Sequence, residues 1–201
     1  MPNTTTFANG LVFTSSALAT TDLDQIIQTL TLNIFGINPS TDPLAYSKVR
    51  VAWQAQPGFT FTDDICSIQT TEDDDAYSIR DRALVVASSA TVSQIDTFVR
   101  TWGVRWVLYG PSGFDRARLI KSALTLDWTH DELLASNLSV VTRWKRTIRA
   151  PEQRDGNWWP RADLSLQMYE LVTESIVLPT IASVETKLFI ERGQVADITA
   201  T

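Results

Sequence analysis

The sequence predicts an α+β fold: a largely antiparallel or mixed β-sheet packed against two main helices, with a long hairpin arm. Three observations lead there. Two stretches, 22–36 and 112–126, repeat apolar residues at the spacing of amphipathic helices. Segments between and after them are rich in Val, Thr, Ile, Phe and Trp, and alternate apolar with polar positions as strands do. The order is helix, several strands, helices, several strands, which differs from the regular alternation of a doubly wound fold.

The first helix follows a polar, threonine-rich start of about 20 residues, read as an N-terminal extension of one domain spanning 1–201. Asp22 can cap it with Gln25 three residues on, and Leu23, Ile26, Ile27, Leu30 and Ile34 repeat until Gly36. "INPSTDPL" reads as a loop and "KVRVAW" as a half-buried strand, with Val49, Val51 and Trp53 on one side. Pro57-Gly58 breaks it, "DICSIQT" is extended again, and Glu72 to Asp75 form an acidic tip. From Arg82 to Tyr109 the chain reads as a long, bent strand pair, with Trp102, Val104, Trp106 and Leu108 sharing one face. Ser112 can cap the second main helix, with Asp115 at its third position and an apolar face of Ala117, Leu119, Ile120, Ala123, Leu124 and Leu126. Arg116 interrupts that stripe and calls for a carboxylate partner, for which Asp163 is the preferred choice. A short helix from Thr129 with Glu132 as a capping box ends near Asn137. "LSVVTRWKRTIR", "RADLSLQMYELV" and "SVETKLFIERG" read as the closing strands.

A chain of 201 residues can bury roughly 70% of the surface its unfolded form exposes, so it needs no staples. Seven tryptophans are many for this length, and such residues concentrate in cores and interface centres. With 17 basic against 23 acidic residues, the net charge of -6 gives no basic footprint for tight DNA binding. The single Cys66 forms no internal disulfide and, with the lone His130, supplies no zinc site. No stretch approaches the roughly 18 apolar residues of a membrane span, and the chain reads as soluble and unprocessed, with no membrane partner.

Gly110-Pro111-Ser112-Gly113 sits where a nucleophile elbow would, but its second glycine follows the serine immediately instead of two residues later. Ser112 reads as a helix cap, Cys66 as a buried thiol and His130 as a structural histidine. Four consecutive acids at 72–75 cannot all face one cation, and no phosphate or dinucleotide loop is present, so no metal, cofactor or catalytic residue is predicted. Two stretches stand out as contact surfaces. Arg143, Lys145 and Arg149 share one face of a strand and are candidates for a docking face. In "RDGNWWPRADL" the adjacent Trp158 and Trp159 point opposite ways if extended, one inward and one outward. A loop of roughly ten residues is longer than a tight hairpin needs, so Ala150 to Pro160 reads as a projecting arm.

Together, "VRVAWQAQPGF", "VLYGPSGFDRARLIKSAL" and "RAPEQRDGNWWPRADLSLQMYELV", in their order and spacing, resemble the neck or tail terminator proteins of tailed bacteriophages, from about Lys48 to Val172. The features that carry it are Tyr109-Gly110-Pro111, Pro151-Glu152, and Trp159, Arg161, Asp163 and Leu164. The resemblance implies a tail-terminator-like fold and a structural virion protein without cofactor or reaction. It would form a ring, typically of six copies, at the head-to-tail junction, between connector or adaptor proteins and the tail tube. It implies production in the host cytoplasm, and DNA as at most a transient passenger through the lumen, which an acidic wall would suit. Trp158, Trp159, Arg161 and Asp163 are then candidates for the subunit interface. Competing readings are another head-completion or adaptor protein of the connector complex, a small hydrolase using Ser112 or His130, and a monomeric module with the tryptophan loop as ligand site.

Overall fold

The computed structural model describes residues 3–7, 11–52, 58–60, 62–73, 81–88, 91–141, 147–154, 156–179, 184–189 and 195–200. Its elements begin with β1 (Asn3–Thr6), β2 (Val12–Ser15), α1 (Thr20–Ile34), α2 (Ala45–Lys48), β3 (Val49–Val51) and β4 (Ile65–Asp73). β5 (Asp81–Ser88), β6 (Thr91–Tyr109), α3 (Gly113–Ala123), α4 (Asp127–Leu134), β7 (Leu138–Val140) and β8 (Ile148–Arg149) follow. The chain ends with β9 (Glu152–Arg154), β10 (Asn157–Trp159), β11 (Arg161–Pro179), β12 (Val184–Phe189) and β13 (Val195–Ala200). The fold is α+β with a mixed sheet: β3 runs parallel to β4, and the other described registers are antiparallel.

The chain divides into two compact units. The first comprises 1–16, 80–98 and 173–201. In it β1 pairs β2, β2 pairs β11 over Glu174–Val177, β5 pairs the first part of β6, and β12 pairs β13. The threonine-rich start is therefore a strand pair in this structure, because Thr4, Thr5 and Thr6 suit a pleated backbone.

The second unit comprises 17–79 and 99–172 and carries the helices. Its strands run in the order β3, β4, β6, β11, and β7 and β8 also pair β11. Alternation along β6 sends Trp102, Val104, Trp106 and Leu108 to one face, where all are at most 1% exposed. Leu164, Leu166 and Met168 of β11 join them, and Leu23, Ile27 and Leu30 of α1 with Ala117 and Ile120 of α3 cover the layer. Each buried indole has an acceptor: Trp106 Nε1 donates to Thr31 Oγ1 at 2.9 Å, and Trp102 Nε1 to Glu170 Oε2 at 2.7 Å. Glu170, 1% exposed, also accepts from Arg100 and from the backbone N–H of Leu18, so this buried charge is fully paired.

Several boundaries differ from the sequence reading. α1 starts at Thr20, so Asp22 lies in its first turn and favours the positive end of the helix without capping it. Ser112 stands at the N-cap of α3, but its side chain makes no cap bond; its backbone N–H donates to Asp64 Oδ1 at 2.9 Å. α4 starts at Asp127, and Thr129 bonds the Ala123 carbonyl at 2.8 Å, while Glu132 accepts from Asn33 of α1. β3 is buried on both sides, since Arg50 is 8% exposed, bonded to the Ser47 carbonyl and covered by Phe59. Trp53, Asp74 and Asp75 lie outside the described residues.

Candidate functional site

The segment read as a ten-residue loop is itself paired. β9 and β10 pair with Trp158 opposite Gln153 and Trp159 opposite Glu152, leaving two residues, 155 and 156, between the strands. Gly156 has φ 79°, which glycine adopts without a Cβ clash, and Asp-Gly is a preferred pair for such a connection. β8 and β11 continue in the same register, with Arg149 opposite Ala162 and the Ala150 N–H bonded to the Arg161 carbonyl at 3.0 Å. The arm is thus one hairpin from about 148 to 163, interrupted where Pro151 and Pro160 lack an N–H to give.

Parity separates the two tryptophans. Trp159 turns inward and meets Phe59 edge-on at 5.4 Å and Tyr109 at 6.5 Å between ring centroids. Trp158, on the other side of the same strand, is 66% exposed. Charge fixes the base on the inward side. Arg161 donates to both oxygens of Asp163 at 2.8 and 2.9 Å and to Glu152 at 3.0 Å, and the Tyr109 hydroxyl is 3.1 Å from the same Glu152 oxygen. Arg105 of β6 bonds Asp163 as well. Burial alone would raise the Asp163 pKa, but the bonds from Arg161 and Arg105 outweigh it and hold the carboxyl below its usual range. The Arg161 guanidinium is pushed up, chiefly by its bond to Asp163. The Tyr109 hydroxyl is raised by burial first, with Arg161 acting against it.

Gly110 ties this base to the helical layer. Its N–H donates to the Pro160 carbonyl at 3.1 Å, its φ is 98°, and a Cβ there would lie 2.5 Å from the Asp63 carbonyl oxygen. Any side chain would force apart the strand end and the loop before β4.

The other predicted positions fall as follows. Arg116 does have a carboxylate, but it is Asp64, at 3.7 Å, with a further bond to the Asp64 carbonyl and its guanidinium 5.1 Å from the Phe35 ring. Asp163 is taken by Arg161 and Arg105, which corrects the expected pairing. Arg149 lies over the Phe114 ring at 4.2 Å, whereas Arg143 and Lys145 lie outside the described residues. Cys66 is fully buried and its thiol is pushed up by that burial. His130 is exposed on α4, and no hydrogen bond links it to Ser112 among the described residues. Sequence reasoning gave no side-chain role to Phe59, Arg105 or Tyr109. For Arg105 a signal existed, since it lies between the core-facing Val104 and Trp106 and so projects from the opposite side of the sheet.

Among the described residues no group of three His, Cys, Asp or Glu side chains is placed to hold a metal, and no helix is long and apolar enough to cross a membrane. What is built here is a hairpin anchored at its base by Trp159 and Arg161 and bearing one exposed tryptophan, Trp158. Residues 21–196 match the family of the phage neck terminator protein, and the chain belongs to that family. The family is structural and belongs to the neck of the phage particle, where it associates with other head and tail proteins. A comparison with curated proteins gives no match.

Proposed function

We propose that this chain is the subunit of a homo-oligomeric ring at the head-to-tail junction of a tailed phage, which closes the tail or connects it to the head. The observation that carries the reading is Trp158: a large apolar ring left 66% exposed on a hairpin whose base is locked by Trp159, Arg161, Asp163 and Glu152. A rigid arm loses little entropy on docking, and a central tryptophan can be worth about 2 kcal/mol or more, comparable to what holds an interface together. Arg161 and Asp163 act in this reading by holding the arm. Arg149, with Arg143 and Lys145, is the face offered to an acidic neighbour among connector, adaptor or tail tube proteins.

The ring is taken to be a hexamer, assembled from chains made in the host cytoplasm, with DNA only passing through its lumen. The net charge of -6 fits a wall that does not hold phosphate. Light scattering coupled to gel filtration tests the reading. The unaltered chain should run as a closed oligomer and Trp158→Ala as a smaller species with an unchanged melting temperature. A Trp158→Ala protein that assembles like the unaltered chain overturns it.

A further inference from the structure

The second unit holds a groove of about 560 Å³, walled by Phe35, Ile37, Leu44, Phe59, Arg116 and Leu119. Leu44 is 58% and Leu119 47% exposed at its margin, so the slot is open, and Lys48, Asp63 and Asp64 share its lining with these apolar groups. Two guanidinium groups line it in fixed positions. Arg50 is bonded to the Ser47 carbonyl and lies 5.1 Å from the Phe59 ring; Arg116 is paired with Asp64 and lies 5.1 Å from the Phe35 ring. Three cations, Lys48, Arg50 and Arg116, against two carboxylates, Asp63 and Asp64, leave the slot with an excess positive charge beside its aromatic and aliphatic walls. That suits an electron-rich aromatic ring, and indole is the side chain with the strongest attraction for a cation over its face.

We propose that this groove receives Trp158 of a second copy of the chain. The proposal deepens the ring reading above and rests on it, because it names the surface that Trp158 meets. Three facts select this occupant. Neither Trp158 nor Trp159 of the same chain lines the groove, so a chain's own arm leaves it open. Trp158 is carried on the outward side of the hairpin, two residues past Gly156, whereas the other exposed tryptophan among the described residues, Trp128, sits in the first turn of α4. Phe59, one wall of the groove, meets Trp159 of its own chain edge-on at 5.4 Å, so the arm that donates one indole also holds a wall of the acceptor. Donor and acceptor are different surfaces, so the contact is heterologous. Each copy then offers one arm and one groove, and the chain of contacts ends only when it closes into a ring.

Two full-length groove variants test this. Leu119→Glu puts a charge on the apolar margin at an exposed position, and Gly58→Phe adds a ring to the lining where a Cβ meets nothing within 4 Å. Both should melt like the unaltered chain and lose at least tenfold of the assembled fraction in sedimentation velocity, as Trp158→Ala should; Trp128→Ala should assemble normally. Mixing then decides whether the two surfaces meet. Trp158→Ala keeps a working groove and Leu119→Glu a working arm, so an equimolar mixture should give pairs and no rings. Groove variants that assemble normally while Trp158→Ala does not would overturn the groove and leave the ring reading standing. A mixture that stays wholly monomeric, or a requirement for Trp128 in place of Trp158, would overturn the pairing of arm and groove. Normal assembly of Trp158→Ala would overturn both readings.

Discussion

Two pairs of tryptophans obey the same rule with opposite results. Trp102 and Trp106 lie four residues apart on β6, point to the same side, and are at most 1% exposed, with both indole N–H groups bonded. Trp158 and Trp159 are adjacent on β10, point to opposite sides, and only Trp159 packs inward. Residue type is the same in both regions; parity along an extended backbone decides which rings belong to the core and which are available for contact. A ring on the core side contributes stability, and a ring on the outer side is free to contribute binding.

The comparison breaks most sharply at the core. Trp106→Ala removes a fully buried ring and leaves a cavity, at a cost of about 3–5 kcal/mol. The melting temperature should fall by roughly 10 °C for a chain of this size, read by calorimetry. A loss of less than a third of that would show that the core collapses around the gap.

The polar lock at the hairpin base comes next. Asp163→Asn keeps the shape but removes the charge shared by Arg161 and Arg105, and should cost about 1.5–3 kcal/mol. The same charge gives a pH signature. Because the Asp163 pKa is depressed on folding, its contribution is present above the unfolded value of about 3.9 and is lost as pH falls through the lower folded value. Unfolding midpoints of the unaltered chain should therefore drop on acidification below about pH 4, and Asp163→Asn should show a smaller drop. Identical pH profiles would remove Asp163 from the lock.

Trp159→Ala lies between the two regions. It deletes edge-on contacts with Phe59 and Tyr109 on a half-buried face, so a cost of about 1–2 kcal/mol follows. Hydrogen exchange at Gly110 should rise in this variant, since its N–H bonds the Pro160 carbonyl at the arm's base.

The legibility of each region in the sequence follows from the range of its contacts. The α+β class, α1, α3, β6 and the first part of β11 were legible because a single face of each meets the core, and a one-sided burial prints its period on the sequence. The arm between Ala150 and Pro160 was legible, but the strand pairing inside it was not, since the pairing of Glu152 with Trp159 joins two polar or aromatic residues that carry no apolar alternation. The carboxylate partner of Arg116 was illegible for a different reason. Asp64 and Asp163 are equally acidic in sequence, and only the fold brings Asp64 to α3 and gives Asp163 to Arg161 and Arg105. Helix starts were blurred because Asp22, Ser112 and Thr129 all look like caps, while tertiary bonds occupy Thr129 and the Ser112 backbone.

The smallest effect on stability, and the most telling, belongs to the outward ring. Trp158→Ala removes an exposed side chain, so its folding cost should stay within about 0.5 kcal/mol, while the proposed ring assembly should be lost. Loss alone does not show that an outward indole is what the contact needs. Gln153 supplies the control, because it lies directly opposite Trp158 on the same exposed face of the hairpin. Facing positions of an antiparallel pair have Cβ atoms about 5 Å apart, close enough for a ring grown from one to cover much of the space left by the other. The double variant Gln153→Trp with Trp158→Ala should therefore regain a measurable part of the assembly lost by Trp158→Ala alone, at an unchanged melting temperature. Gln153→Phe, which has a weaker cation-binding face, should regain less. Placing the new ring at Asn157 instead, one residue away and on the opposite side of β10, should regain none. If the Asn157→Trp variant rescues assembly as well as Gln153→Trp does, the face of the hairpin is irrelevant, and parity separates core from contact only in β6.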